Sequence, residues 1–300
     1  MKIQDTAQAS GRSGLLLILL AAVLWGTIGL FVQTLYRLTE TNPLSIGFLR
    51  LAISVPVLLL ACWLSVGRQM FRVARADFAL MLLIGGMMAL YQVCYFGAIA
   101  QVGVAAATLI TLCTAPVWVV LLAAVLLQER LTRTVLLSGG LAVAGTSLLV
   151  GLQPNSSHAN PLLGLVLALG SSFGYALIVL LSRRLSGRYH PLQPLTIGFT
   201  AGAIFLFPFT VATGWVMTYP AMGWAALLYL GLVPTALAYM LYFVGIRTIS
   251  ATTASIATLL EPLTSTLLAA WLLGEQLGSW GLAGAVLLGG AIALLYRSQR

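Results

Sequence analysis

Long apolar runs fill most of the 300-residue chain, and short polar segments separate them. A run of about 20 apolar residues is long enough to cross the hydrocarbon core of a bilayer as a helix. We therefore predict an all-α polytopic membrane protein with ten transmembrane helices. The predicted spans cover residues 15–36, 44–66, 78–100, 104–127, 135–152, 162–181, 195–214, 224–246, 251–273 and 280–296.

The composition agrees with this pattern and excludes a soluble domain of this length. Hydrophobic residues make up 60% of the chain and charged residues 7%, and the mean hydropathy is +1.03. The first apolar run follows Lys2 and Arg12, as in a signal peptide, but it continues to about Tyr36 without a small-residue cleavage site. We interpret it as a retained first span. The three cysteines fall inside apolar runs and suggest neither a disulfide framework nor a metal cluster.

The positive charge gives the predicted orientation. A net charge of +9 is also typical of nucleic-acid binding, but here the basic residues are scattered among short connections between apolar runs. A cytoplasmic N-terminus places thirteen of the fifteen lysine and arginine residues inside, that is, all except Arg37 and Arg50. An even number of spans returns the C-terminus to the cytoplasm. We predict an inner-membrane protein with both termini cytoplasmic and no soluble domain.

The two halves of the chain are related by a weak internal repeat. The segment TLCTAPVWVVLLAAVLLQERL aligns with ATLLEPLTSTLLAAWLLGEQL, so that Pro116 matches Pro262 and Glu129 matches Glu275. The predicted repeats are residues 1–152 and 153–300, with five spans each. An odd number of spans turns the second repeat upside down relative to the first, as in secondary transporters, and predicts a binding site where the halves meet. We interpret the two glutamates as helix ends or contacts across the repeat interface.

Several motifs resemble the drug/metabolite transporter superfamily, and within it the EamA-type ten-helix carriers. They are AAVLWG near Trp25, GFLRLAIS around Arg50, the two repeat segments above, and PTALAYMLYFVGIRTI from Pro234. The chain is also similar to the YddG-like amino-acid exporters. The resemblance implies an inner-membrane carrier with a central cavity and alternating access, which exports aromatic or hydrophobic amino acids. Drug-like cations, sugars and nucleotide metabolites are alternative substrates in this family.

The matched prolines are predicted gating residues. A proline inside a helix has no N–H and crowds the carbonyl four residues earlier, so Pro116 and Pro262 free the carbonyls of Leu112 and Thr258. Such breaks persist in membranes only where protein or water satisfies the backbone. Each proline either bends its span during gating or gives the cavity a polar lining. The alternative is a static kink that improves packing.

Glu261 is an acid near the middle of the ninth predicted span, where an ionisable residue indicates function. As a carboxylate it can bind a substrate ammonium group, and it can alternatively carry a proton. The structural alternative is a protonated carboxyl that holds the kink at Pro262. For Arg50 we prefer a structural or interfacial role. The alternative is that Arg50 pairs with a substrate carboxylate or with Glu261.

Aromatic and hydroxyl side chains complete the predicted substrate site. Tyr91 and Tyr95 share one helix face, and Tyr239 and Tyr242 lie at comparable depth in the other half. Rings facing a cavity can stack on a flat substrate or hold a cation, whereas Tyr95 and Tyr242 also suit the aromatic belt at the membrane interface. The predicted substrate-binding residues are Trp25, Tyr91, Tyr95, Thr114, Tyr239, Tyr242 and Glu261.

Small residues recur at four-residue intervals in the last predicted span and predict close helix packing there. They are Gly281, Ala285, Gly289 and Ala293.

Other classes of protein lack support in the sequence. The common catalytic motifs are absent, both histidines fall in predicted loops, and Lys2 is the only lysine, so no phosphate-binding loop can be formed. A channel lacks a filter motif. We expect no enzymatic activity, cofactor or metal, and partners limited to a small-molecule substrate and membrane lipid, without nucleic acid. The coupling ion, direction of transport and oligomeric state stay open.

Overall fold

The computed structural model describes residues 2–129, 131–150, 160–273 and 278–298 of the chain. Nearly all of these residues are helical. Apart from an isolated bridge between Ser186 and Tyr189, they contain no β-structure. The predicted all-α fold class is confirmed.

Twelve α-helices occur in the described residues. They are α1 (Lys2–Gly26), α2 (Ile28–Leu38), α3 (Pro43–Val66), α4 (Arg75–Leu122), α5 (Arg133–Val150), α6 (Pro161–Leu185), α7 (Leu192–Ala212), α8 (Ala221–Leu230), α9 (Ala238–Gly245), α10 (Ala251–Ala257), α11 (Leu260–Leu273) and α12 (Ser279–Ser298). A 3₁₀ turn spans Gly67–Phe71, and π-helical segments span Ala123–Leu127 and Gly231–Leu237.

These helices account for the predicted membrane spans. Within the described residues, nine helical stretches are long and apolar enough to cross a membrane. Helix α5 occupies the position of the predicted fifth span, whose last two residues lie outside the described part of the chain. The chain is a multi-pass membrane protein.

Several helices begin at residues that cap them. The side chain of Asn42 accepts a hydrogen bond from the Ser45 amide at 2.8 Å, and Pro43 occupies the first turn of α3. Asn160 accepts from the Leu163 amide at 3.1 Å in the same way. An asparagine cap satisfies one of the free amides at a helix start, and the proline that follows needs no partner for its nitrogen. The sequence Asn-Pro therefore marks where two spans begin.

Helix α4 contains both the third and the fourth span. It is interrupted at Gly103, whose φ of 81° and ψ of 166° are not helical. A positive φ is unfavourable for residues with a Cβ atom, and glycine adopts it readily. Gly103 therefore lets the chain reverse between two spans with almost no connecting loop.

The two halves of the chain pack against each other over much of their length. Helix α4 packs on α6 and α7, α5 packs on α12, and α1 packs on α9 and α11. Glycines allow close approach: a Cβ atom at Gly85 would lie 2.6 Å from the Gly198 carbonyl oxygen. The region between the halves, where we predicted the site, is therefore lined by helices from both.

Glu129 links the two halves at one end of the molecule. Its carboxylate accepts hydrogen bonds from the Ala251 amide at 2.7 Å and from the amide and hydroxyl of Thr252 at 3.3 and 3.1 Å. It thereby satisfies free amides at the start of α10, where negative charge is also favourable. Glu129 therefore contacts the second half of the chain, which agrees with one of its two interpretations, while the repeat boundary stays a prediction. Glu275 lies outside the described residues.

The predicted packing stripe in the last span is wrong. Gly289 has open space where a side chain would project, whereas a Cβ atom at Gly145 of α5 would lie 2.8 Å from the Gly284 carbonyl oxygen. An α-helix has 3.6 residues per turn, so a strict four-residue spacing drifts away from one face, while spacings of four, three and four stay on it. The buried face comprises Gly284, Leu288, Ala291 and Leu295.

Candidate functional site

Aromatic rings from both halves meet in the interior. The Trp25 ring lies 4.8 Å from the Tyr239 ring and 5.6 Å from the Tyr242 ring, measured between centroids. Phe199 of α7 packs edge-on against Tyr239 at 4.8 Å. Trp25 is 5% exposed and Tyr242 is 1% exposed. Contacts between tilted rings at these distances stabilise the arrangement beyond simple burial.

A second group of rings lies on α4 and α6. Tyr91 stacks on Tyr95 with centroids 6.1 Å apart, and Tyr91 also lies 6.1 Å from Tyr175. The hydroxyl of Tyr95 is hydrogen-bonded to that of Thr108 at 2.6 Å. Neither Tyr91 nor Tyr95 is fully buried. Because these rings keep some accessible surface within the helix bundle, they are placed to contact a bound molecule.

Glu261 interacts electrostatically with both groups of rings. The Glu261 carboxyl lies close enough to Tyr91, Tyr175 and Tyr239 for an electrostatic interaction with each of them. It also lies close enough to Arg50 for an attractive interaction. The Glu261 side chain is only partly buried. We call the set Trp25, Tyr91, Tyr175, Tyr239 and Glu261 the central cluster. It combines an acid, nearby positive charge from Arg50, and aromatic surface.

Gly26 brings the first span close to Glu261. A Cβ atom at this position would lie 2.5 Å from the Thr264 Cβ and 3.0 Å from the Glu261 carbonyl oxygen. No side chain fits such a gap without moving the backbone of α11. Glycine after Trp25 therefore lets α1 contact the helix start that carries Glu261.

The ninth span is broken at Pro262. Helix α10 ends at Ala257 and α11 begins at Leu260. Pro262 has no N–H for the Thr258 carbonyl, and that carbonyl accepts a hydrogen bond from the Glu261 amide at 3.0 Å instead. The Thr258 hydroxyl accepts from Tyr175 at 3.1 Å. The break leaves Glu261 in the first turn of α11, where the helix dipole favours a negative charge.

Pro116, the matching proline of the first half, does not break its helix. Pro116 is buried inside α4, and the non-helical residue of that helix is Gly103 rather than a neighbour of Pro116. The helical break predicted from both prolines therefore accompanies Pro262 and not Pro116. Sequence alignment could not predict this difference, because Pro116 and Pro262 have the same type and position in their repeats.

A third proline disrupts the eighth span, which sequence reasoning missed. Pro234 lies in the π-helical segment Gly231–Leu237, and its missing N–H leaves the Leu230 carbonyl to accept from the Thr235 hydroxyl at 2.6 Å. The same hydroxyl accepts from Nε of Arg50 at 3.2 Å. The Pro234 carbonyl accepts from Nε1 of Trp25 at 2.9 Å. Irregular helix turns of this kind often occur at functional sites.

Some predicted site residues lie at the edge of the cluster. Tyr242 is buried against Trp25, which excludes the membrane-interface belt for its side chain. The Thr114 hydroxyl donates to the Ile110 carbonyl and is hydrogen-bonded to the Ser172 hydroxyl, both at 2.7 Å, and so it joins the fourth span to the sixth. The Thr114 hydroxyl thus has local partners in the helix seam.

Sequence reasoning missed Tyr175 and Phe199. Tyr175 follows Phe173-Gly174, which matches Trp25-Gly26 in the repeat, and Phe199 ends the TIGF segment that matches SIGF. These repeat matches pointed to the right segments of chain. They did not identify the side chains, because Tyr175 corresponds to Thr27 rather than to an aromatic residue, and Phe48, which corresponds to Phe199, is not a predicted site residue.

Polar contacts join the halves at both ends of the molecule. At one end Asp77 forms an ion pair with Arg188 at 3.1 Å and accepts from the Tyr189 hydroxyl at 2.8 Å. At the other end Thr41 is hydrogen-bonded to the Tyr219 hydroxyl. Partial burial raises the pKa of Tyr219 above its ordinary value, and the bond to Thr41 opposes this shift. The Tyr219 phenol therefore stays protonated at neutral pH.

Comparisons with known proteins identify the family. The sequence model described as the EamA-like transporter family matches residues 12–151 and 162–297. The uncharacterized transporter YwfM of Bacillus subtilis is 32% identical over 269 residues, which cover 88% of each chain. A probable terminal-alkyne amino-acid exporter of Streptantibioticus cattleyicolor is 28% identical over 182 residues, covering 58% of this chain and 60% of its own.

A solved crystal structure shares the fold. It superposes with a TM-score of 0.82 and covers 94% of this chain and 97% of its own, at 21% sequence identity. The match to the family model and the similar relatives indicate the same family, and the shared fold is consistent with it. The chain belongs to the EamA-like transporter family.

Proposed function

We propose that the protein exports amino acids with aromatic or hydrophobic side chains across the inner membrane. The observation that carries this proposal is the position of Glu261, which lies near rings from both halves and near Arg50. An amino acid has an ammonium group, a carboxylate and a side chain. The site offers a partner for each.

Each group of the substrate has a suitable partner. The Glu261 carboxylate binds the ammonium group by a charge-assisted hydrogen bond, and the Arg50 guanidinium binds the carboxylate. The rings of Trp25, Tyr91 and Tyr239 hold the side chain by stacking and apolar contact. A purely cationic drug would leave the Arg50 charge unpaired beside it. The presence of Arg50 therefore favours a zwitterion over a drug-like cation.

The contacts between the two halves are suited to an alternating-access mechanism. The Asp77 to Arg188 pair joins them at one end, and the Thr41 to Tyr219 bond joins them at the other. In our proposal one set of contacts opens while the other closes, which exposes the central cluster to one side of the membrane at a time. The helix break before Pro262 supplies a flexible point beside Glu261. Pro116 lies in a continuous stretch of α4, where its missing N–H removes one helix hydrogen bond without breaking the helix.

The orientation is also part of this proposal. The two predicted repeats are residues 1–152 and 153–300. We place both termini in the cytoplasm, because this orientation puts nearly all arginines on the cytoplasmic side of the membrane. Further support comes from the Streptantibioticus cattleyicolor relative, whose name describes it as a probable exporter of an amino acid.

A flux screen of the purified protein in proteoliposomes tests the function. The panel comprises amino acids, sugars, nucleotides and organic cations, each measured against empty liposomes. The proposal expects aromatic and hydrophobic amino acids to move faster than the other classes. Flux restricted to organic cations, sugars or nucleotides would overturn it, and single-channel currents in a planar bilayer would indicate a channel instead of a carrier.

A further inference from the structure

A basic cavity lies at the arginine-rich end of the molecule, away from the central cluster. Its volume is about 650 Å³, and its lining includes three arginines from separate segments of the chain. Arg72 follows the 3₁₀ turn after α3, Arg188 lies between α6 and α7, and Arg247 lies just after α9. Residues far apart in sequence, all three of them exposed, thus bring positive charge to the wall of one open space.

The cavity has more positive charge than the nearby acid can neutralise. Asp77 pairs with Arg188 and with Tyr189. The guanidinium groups of Arg72 and Arg247 form no hydrogen bond or ion pair with any part of the chain that the structure describes. The residues that line the cavity include no Asp or Glu. Two guanidinium groups are therefore available to an anion.

His190 also lines the cavity but adds little charge at neutral pH. Partial burial, and then the positive charge of Arg247, lower its pKa below the ordinary value for histidine. The neutral imidazole has one donor and one acceptor nitrogen. It can therefore contribute a hydrogen bond to an anion held by the arginines.

The backbone around the cavity is held in place by hydrogen bonds. Gln193, which is 6% exposed, accepts from the His190 amide and donates to the Gln69 carbonyl, each at 3.0 Å. Arg183 donates to the carbonyls of Ile246 and Arg247, each at 3.0 Å. These bonds fix the segments that carry the free guanidinium groups before any ligand arrives.

The cavity lies where membrane spans end. Val66, the last residue of α3, contributes to its wall, and Gln193 belongs to the first turn of α7. Helix ends lie at the level of lipid headgroups. Basic pockets between membrane helices at that level suit lipid phosphates, and the planar guanidinium group matches the geometry of phosphate oxygens.

We propose that this cavity binds a phosphate group through Arg72 and Arg247, beside the Arg188 to Asp77 pair. The phosphate is carried by an anionic lipid headgroup or by a soluble phosphate. This site does not depend on the identity of the transported substrate, because it is built from residues outside the central cluster.

The test compares two double variants of equal charge. Arg72→Gln with Arg247→Gln removes the free guanidinium groups, whereas Arg133→Gln with Arg297→Gln removes two exposed arginines at predicted cytoplasmic helix ends that do not line the cavity. Native mass spectrometry measures retention of cardiolipin against phosphatidylcholine. Thermal unfolding in detergent measures stabilisation by inorganic phosphate. We expect binding to weaken about 30-fold in the first double variant only.

The two probes separate the sources of the phosphate. Arginine-dependent retention of cardiolipin identifies the lipid, and arginine-dependent stabilisation by inorganic phosphate identifies the soluble anion. Equal losses in both double variants, or no arginine-dependent binding of either probe, would overturn the proposal. If the first double variant does not fold, hydrogen exchange of residues 187–193 in the wild-type protein decides: protection by either probe supports the site, and unchanged exchange with both contradicts it.

Discussion

The indole Nε1 of Trp25 donates a hydrogen bond of 2.9 Å to the carbonyl of Pro234, 209 positions away in the chain. This bond joins the last turn of α1 to the π-helical segment of the eighth span. The same indole ring packs on Tyr239. Trp25 thus supplies aromatic surface to the central cluster and also satisfies a carbonyl in an irregular stretch of membrane helix.

We predict that Trp25→Phe lowers the free energy of unfolding by about 1 to 3 kcal/mol. The phenyl ring keeps much of the contact with Tyr239 but leaves the buried Pro234 carbonyl without its donor. Unfolding of the purified protein in detergent measures the change. The matched control is Trp271→Phe, at a ring that is 80% exposed, where we expect less than about 0.5 kcal/mol. Equal stability of Trp25→Phe and wild type would show that the bond contributes nothing.

We predict that Glu261→Gln weakens transport of amine-bearing substrates by about 10- to 100-fold, because a charge-assisted hydrogen bond becomes a neutral one. The variant keeps the side-chain shape. If Glu261 also carries a proton, the same change abolishes the effect of a pH gradient on flux. Normal flux of every substrate at every pH in Glu261→Gln, together with unfolding of Glu261→Ala, would leave the acid with a purely structural role at the kink.

Replacing Pro116 and Pro262 with alanine is expected to slow transport more than it destabilises the protein. Alanine at 262 restores an N–H that competes with the Glu261 amide for the Thr258 carbonyl and favours a continuous helix. Initial flux rates and unfolding temperatures of each single variant and the double variant are the measurements. Pro208→Ala, at an exposed proline inside α7, is the matched control. Unchanged flux would assign both prolines to static packing.

The sequence was sufficient to predict the helices, and three of the predicted site residues, Trp25, Tyr239 and Tyr242, lie together in the structure. Lipid requires long apolar runs with satisfied backbones, so the spans follow directly from the hydrophobic pattern. The details depend on contacts between distant segments. The bond from Trp25 to Pro234, the placement of Tyr175, and the convergence of Arg72 and Arg247 on one cavity all follow from tertiary packing, which no local pattern encodes.

The predicted orientation can be tested by cysteine labelling. In a background without Cys62, Cys94 and Cys113, we expect single cysteines at positions 158 and 188 to react with a membrane-impermeant reagent from opposite sides of the membrane. The loops that carry them lie on either side of the sixth span. Labelling of both positions from the same side would contradict the topology.

The central claim is that the substrate side chain rests on the rings of the central cluster. The most direct test is the ratio of tryptophan flux to alanine flux in proteoliposomes, compared between wild type, Tyr239→Ala and Trp271→Ala. Loss of a stacking ring is worth about 1 kcal/mol or more, so we predict that the ratio falls at least about fivefold in Tyr239→Ala and stays unchanged in Trp271→Ala. A wild-type ratio in a folded Tyr239→Ala protein would contradict the account.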